Sequence, residues 1–263
     1  MTLVEMLVTI SVIIILAALL MPPLQRSKLQ AKAVKCTSNI RQLSIALLSY
    51  AADDSSFPYA FYSCKGMLPP EDGYAGYQQY DRKGWWWFNY LEGLYNKSMD
   101  RRTVLECPSK NLQDTNLKND VLCDNYGVNL SICKMTPGKS SQKEFVGSPL
   151  TIIGAPHPSQ TLLLLDSGYA IINWWHAADN PPVTLGNSII EDTAYVPGLK
   201  INQNRRLWRG GGQNYDAFYG RHPCNTINVG FMDGHVARNE PNDLLVEKNY
   251  EGYKNLVPLW RPE

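Results

Sequence analysis

The sequence predicts an α+β chain, a single long N-terminal α-helix leading into a loop-rich, β-sheet-containing globular head. Three observations carry this. Met6 to Leu24 is free of charge; an apolar stripe at helical spacing follows; and beyond residue 53 short apolar runs alternate with Gly-, Pro- and Asn-rich breakers. The organisation expected is a hydrophobic transmembrane or filament-core helix segment over 1–24, an amphipathic continuation over 25–52, and a head over 53–263. The head is long enough to hold its own core.

The uncharged run is long enough to cross a hydrocarbon layer of roughly 30 Å as a helix. Glu5 sits at its start, where a carboxylate is costly unless something pairs with it. Nothing basic precedes it except the α-amino group of residue 1. A buried acid five residues from a free amine points to the amine, its own or a neighbour's, as partner. A secretory signal fits poorly, because there is no basic segment ahead of the run and no small-x-small cleavage pattern after it. Pro22 and Pro23 remove backbone donors, so a kink or local melting is expected around Ala18 to Pro22, or a plain stop to the spanning helix.

Leu29, Ala33, Cys36, Ile40, Leu43, Leu47 and Tyr50 then step by fours and threes, one apolar face of a resumed helix. The Asp53-Asp54-Ser55-Ser56 and Phe57-Pro58 cluster ends it. A helix of about 50 residues is roughly 75 Å long. Its second half is expected to pack on the head while its first half projects.

Thr2-Leu3-Val4-Glu5-Met6-Leu7-Val8, the uncharged run and Pro22 together resemble the type IV pilin family, including the pseudopilins of type II secretion. The resemblance implies removal of a short basic leader by a prepilin peptidase and N-methylation of the new first residue. It also implies that Glu5 neutralises a neighbouring subunit's terminus during assembly by inner-membrane machinery. That family usually begins with Phe; here Met1 takes the place, and Glu5 falls in register with Met1 as the mature first residue. Met1, Glu5 and Pro22 are thus the expected assembly positions, with Met1 the site of processing and methylation.

Residues 1–52 carry five basic residues against Glu5, a net +4, and the remainder is acidic at −3. A basic stem under an acidic head suits pairing between subunits or contact with anionic headgroups. Basic residues after the span would by themselves hold the head in the cytoplasm; a basic leader ahead of Met1 and the cysteines argue for export. Cys36, Cys64, Cys107, Cys123, Cys133 and Cys224 are even in number and contain no C-x-x-C pair, so zinc and thioredoxin-like sites are poorly supported. Disulfides in an oxidising compartment are the better reading, among 15 pairings that sequence does not rank. A bridge from Cys36 to the early head, Cys64 for instance, would staple helix to head.

In the head, strands are expected at Trp85 to Phe88, Leu150 to Ile153, Thr161 to Leu165 and Tyr169 to Trp175. A hairpin runs from Thr226 to Met232, turns at Asp233-Gly234 and returns from His235 to Arg238, with a two-residue type I′ turn expected. A second resemblance lies here. Cys36 to Leu43, Tyr50 to Asp53, Phe57-Pro58, Cys107-Pro108, Tyr126 to Asn129, and His222 with Asp233-Gly234 resemble pilin-like proteins of Planctomycetes, Verrucomicrobia and Lentisphaerae. Those carry a C-terminal prepilin-processing-associated domain named for a His-x9-Asp-Gly motif; ten residues separate the pair here.

No G-x-S-x-G, H-E-x-x-H or P-loop pattern occurs, and the four histidines do not make a catalytic signature, so no enzyme is expected. No cofactor is expected. Asp166 and Asp233 are the candidates for a calcium site, disfavoured because no loop has a D-x-D-x-D-G pattern. Nucleic-acid binding is not expected, since the head is acidic and no basic stripe crosses its aromatics. The aromatic runs Trp85-Trp86-Trp87 and Trp174-Trp175 either fill a core or present rings to sugars. The expected function is a subunit of an extracellular pilus-like filament, inserted first in the inner membrane as a single-span precursor and partnered by identical copies. A minor pseudopilin and a membrane-anchored glycan-binding protein are the alternatives.

Overall fold

The structure, a computed structural model, describes residues 2–62, 84–91, 104–110, 121–136, 143–182, 194–201 and 216–263. Its first element is α1 (Leu3–Asp53), 51 residues of unbroken helix. Thr2 caps it, and Asp54 closes it with an N–H to the Tyr50 carbonyl. Residues 2–31 are exposed all round; Ala33, Cys36, Asn39, Ile40, Leu43, Ser44, Leu47 and Ala51 are buried against the head. The packed face therefore begins at Ala33. Leu29, which the spacing placed on it, is exposed, because the head does not reach that far along the helix.

Pro22 and Pro23 lie inside the helix without interrupting it, which corrects the expected melting around Ala18 to Pro22. Each proline removes one donor, and the lost bonds cost least on an exposed stretch. Ser27 Oγ donates to the Pro23 carbonyl at 3.0 Å, a local bond that helps hold the turn after the pair.

The core sheet has five strands in the order β5-β3-β4-β6-β7. These are β3 (Tyr126–Asn129), β4 (Leu162–Asp166), β5 (Ile171–Ile172), β6 (Ile227–Phe231) and β7 (Val236–Asn239). All pairings are antiparallel except β3 with β5. Every residue of β3, β4 and β6 is buried, so these central strands read as near-continuous rather than alternating apolar runs. The short pairs β1 (Phe61–Tyr62) with β2 (Trp85–Trp86) and β8 (Glu247–Asn249) with β9 (Gly252–Lys254) stand apart from this sheet. A single turn, α2 (Asp216–Tyr219), precedes β6.

α1 lies across β6, flanked by β4 and β7. Gly230 permits the approach: a Cβ there would stand 2.5 Å from Ser44 Oγ and 3.0 Å from both Ile40 Cγ2 and Leu164 Cδ2. Two positions before it on the same strand face, Asn228 accepts from Thr37 Oγ1 at 2.8 Å.

Several strand expectations change. Trp85-Trp86 is a strand, but Trp87–Tyr90 coils into a 3-10 turn. Leu150 to Ile153 is no strand: it passes into a 3-10 turn at Ile152–Gly154, where Ile153 is almost fully exposed. Of Tyr169 to Trp175 only β5 is strand, followed by the turn Trp174–Ala177. The β6–β7 hairpin stands, with a different turn. Phe231 N–H bonds to the His235 carbonyl and Gly234 N–H to the Phe231 carbonyl, so three residues form the loop. Gly234 alone takes a positive φ, +89°, which is the three-residue hairpin with a left-handed last position in place of a type I′ pair.

Candidate functional site

Two regions carry chemistry: the N-terminal half of α1, and a buried polar seam where its second half meets the head. At the first, Glu5 folds back on its own helix. The Thr2 N–H donates to Glu5 Oε2 at 2.7 Å and the Glu5 N–H to Thr2 Oγ1 at 3.3 Å, a reciprocal capping box. Thr2-x-x-Glu5 is the sequence signature of that box, a signal the sequence carries beside the charge of Glu5. In the single chain Glu5 satisfies helix donors; Met1 lies outside the described residues. None of the most apolar 18-residue window of α1 is buried, and the helix is long and apolar enough to cross a membrane.

The seam begins at Cys36, on the buried face that α1 turns toward the head. Cys36 Sγ lies 2.7 Å from Cys107 Sγ, on the segment 104–110. The Cys107 N–H is held by Asn125 Oδ1 at 2.9 Å, which fixes that segment beside β3. A hydrogen bond with the Cys107 thiol pulls the Cys36 thiol down to about 7 against the opposing effect of burial, whereas burial pushes the Cys107 thiol well up. Next to them His222 Nε2 lies 2.9 Å from Asp166 Oδ2, with both side chains fully buried. The same oxygen accepts from the Asn228 N–H at 2.6 Å and from its amide Nδ2 at 3.1 Å. Burial alone would raise the Asp166 carboxyl; His222, Arg221 and the Asn228 N–H outweigh it and hold the group below the usual carboxylate range.

Beside this lies a fully buried charge cluster. Arg221 donates through Nε to Asp216 Oδ2 at 3.0 Å, through Nη1 to the Asn125 carbonyl at 2.7 Å, and through Nη2 to Asp124 and Asp216. Tyr195 Oη donates within reach of Asp216 Oδ1 at 2.5 Å and Asp124 Oδ1 at 3.0 Å. Burial pushes the Asp124 carboxyl up to about 8 even with Arg221 against it. Arg221 and His222 are consecutive, so one short stretch of chain serves both clusters and ties the segments at 124, 166 and 216 together.

The seam has the elements of a Cys-His-Asp constellation, and one ligand atom from each of Cys36, Cys107 and His222 lies within 4.8 Å of the others. Its burial argues against catalysis: Cys36, Asp166 and Asn228 are at 0 % exposure and His222 at 5 %, which leaves no approach for a substrate. The other expected positions are scattered. Asp166 and Asp233 do end neighbouring strands, β4 and β6, but those strands are antiparallel, so Asp166 lies level with the start of β6 and Asp233 beyond its end. They cannot share a cation. Asp233 Oδ1 instead accepts from the His235 N–H at 3.0 Å in an exposed turn. Cys36 faces Cys107; Cys64, the partner suggested from sequence, lies outside the described residues. Cys123 and Cys133 are buried and Cys224 is exposed.

His176 is buried, and burial pulls its imidazole down to about 4. Asn129, in a glycosylation-like Asn-Leu-Ser, is buried and spends its amide on the Leu162 and Trp260 carbonyls. Trp86, Trp87, Trp174 and Trp175 are core. Trp85 and Tyr90, partly exposed, line a cavity of about 760 Å³ with Tyr50, Gln42 and Asp53 of α1. Comparison with protein-family models, curated proteins and solved structures finds no match for this chain. The architecture is pilin-like: a long apolar N-terminal helix packed by its second half on a β-sheet head.

Proposed function

We propose that the chain is a non-enzymatic structural subunit of a type IV pilus-like filament, assembling through the exposed half of α1. The observation that carries this reading is the division of that helix. Its first half is apolar around its whole circumference and buries none of it, while its second half is fixed to the head by packing and polar contacts. An apolar helix without an internal partner needs lipid or other copies of itself to cover it. Membrane insertion before assembly, processing at Met1 and release into a surface filament of identical subunits belong to the same proposal. A basic stem, with Arg26, Lys28, Lys32 and Lys35 at the junction, suits contact with acidic neighbouring heads.

Glu5 is the test, because its two roles separate chemically. Gln retains the capping geometry at this helix position but carries no charge. Glu5→Gln and Glu5→Ala should both leave a folded, membrane-inserted chain. If Glu5 neutralises a neighbour's amine in a low-dielectric core, both variants lose about 3–5 kcal/mol at each such contact and filaments disappear from sheared material viewed by electron microscopy. Normal filament yield from Glu5→Gln would leave capping as the carboxylate's whole role. Filament length in the parent strain separates a fibre subunit from a short secretion pseudopilus.

A further inference from the structure

We propose that Cys36 and Cys107 form a disulfide that locks the second half of α1 to the head. The two residues lie 71 positions apart, on α1 and on the segment 104–110. Packing of the helix brings their sulfurs to 2.7 Å, closer than unbonded sulfur atoms approach. Both are shut in, at 0 % and 2 % exposure, so the pair is fixed by its surroundings. Cys36 is held by the helix register between Ala33 and Ile40, and Cys107 by its own N–H on Asn125.

A metal is the other chemistry these atoms suggest, with His222 as third ligand. The geometry disfavours it. Two thiolates at about 2.3 Å from one tetrahedral zinc stand about 3.8 Å apart, well beyond the 2.7 Å between these sulfurs. His222 and Asp166 are then the polar lining of the bridge.

Formation requires an oxidant, and a disulfide-bearing thiol oxidoreductase is the class that fits. The Cys36 thiolate attacks one sulfur of the oxidant's disulfide and forms a mixed disulfide. The Cys107 thiolate then attacks the Cys36 sulfur. The Cys36–Cys107 bond forms, the mixed bond breaks, and the oxidant leaves as a dithiol carrying both electrons and the two thiol protons. Because both sulfurs are buried in the folded chain, exchange takes place before α1 seals against the head, and the finished bond is shielded from reductants. The proposal does not depend on filament assembly.

Peptide mapping of the full-length protein, exported, extracted in detergent and alkylated without reduction, tests it. Trypsin should release 36–41 joined to 103–110, two hydrogens lighter than the sum of the separate peptides. Alkylated Cys36 and Cys107, a linkage of Cys36 to Cys64 or any other cysteine, or stoichiometric zinc with both thiols reduced would each overturn the assignment. As a second readout, reductant added during unfolding should lower the melting temperature by about 10 °C. The Cys36→Ser/Cys107→Ser double variant should show no such response. An equal response in that variant would move the bridge elsewhere, and if it does not fold the peptide map of the parent protein decides alone.

Discussion

The two halves of α1 share one continuous backbone and almost nothing else. From Thr2 to residue 31 every side chain is exposed, with Ile13, Ile14, Leu19 and Leu24 all more than 60 % accessible. From Ala33 to Ala51 a face of small and apolar residues is buried, and two polar residues, Asn39 and Ser44, are buried with it. Asn39 donates to Tyr126 Oη at 3.1 Å and to the Glu106 carbonyl at 3.1 Å, reaching the sheet and the Cys107 segment together. The contrast teaches that helix length and helix partner are separate properties. A helix apolar on all sides must be covered from outside the chain, whereas one with an apolar stripe and basic opposite face has its cover in its own sheet.

Matched truncations break or sharpen this contrast most strongly. Ile40 is fully buried over Gly230; Ile40→Ala should cost about 2–5 kcal/mol of head stability, since it removes packed methyl groups and leaves a cavity at the seam. Ile13→Ala should leave head stability unchanged, as the side chain touches nothing in the head. Chemical unfolding of the two full-length variants in detergent, followed by Trp fluorescence, measures both. A similar loss from Ile13→Ala would mean that the projecting half folds back on the head.

Gly230→Val asks the same question from the sheet side. A side chain there has to displace Ser44 Oγ, Ile40 and Leu164, all closer than ordinary contact. Over-packing of this kind costs about 1–3 kcal/mol. The loss should appear as faster proteolysis of α1 at Lys32 and Lys35, with the remaining head resistant. If cleavage is unchanged, the helix does not depend on this close approach.

The helix and its division were legible because they rest on long periodic patterns: the uncharged run, the stripe and the breaker cluster after Ala52. The central strands β4 and β6 were legible for the same reason, as apolar runs bounded by turn residues. Shorter elements were not. β1, β5 and β8 are two or three residues long, too short to show a period, and Leu150 to Ile153 has a strand-like composition but no strand beside it. The hairpin turn was read from Asp233-Gly234 alone; its true length depends on how Phe231 pairs with His235, which composition does not encode. The seam was invisible for a further reason. Cys36, Cys107, Asp166 and the stretch from His222 to Asn228 are far apart in sequence, and β4–β6 pairing together with the packing of α1 on the sheet brings them together. One piece of the functional region was readable and missed: Thr2 and Glu5 carry the spacing of a capping box.

The smallest expected effect concerns the prolines. Proline in a helix interior costs about 3 kcal/mol relative to alanine, so a segment holding Pro22 and Pro23 is where α1 would yield first. In the single chain it has not yielded. Replacing both with Ala should therefore change neither the helical content of the full-length protein in detergent, measured by far-ultraviolet circular dichroism, nor the melting temperature of the head. The head should not respond because the pair lies ten or more residues before Ala33, the first buried position of the helix. A gain in helical signal worth one or two turns would show that the prolines do break α1 in solution. The halves would then be divided by backbone as well as by side chains, and the exposed half could swing about the junction before other copies cover it.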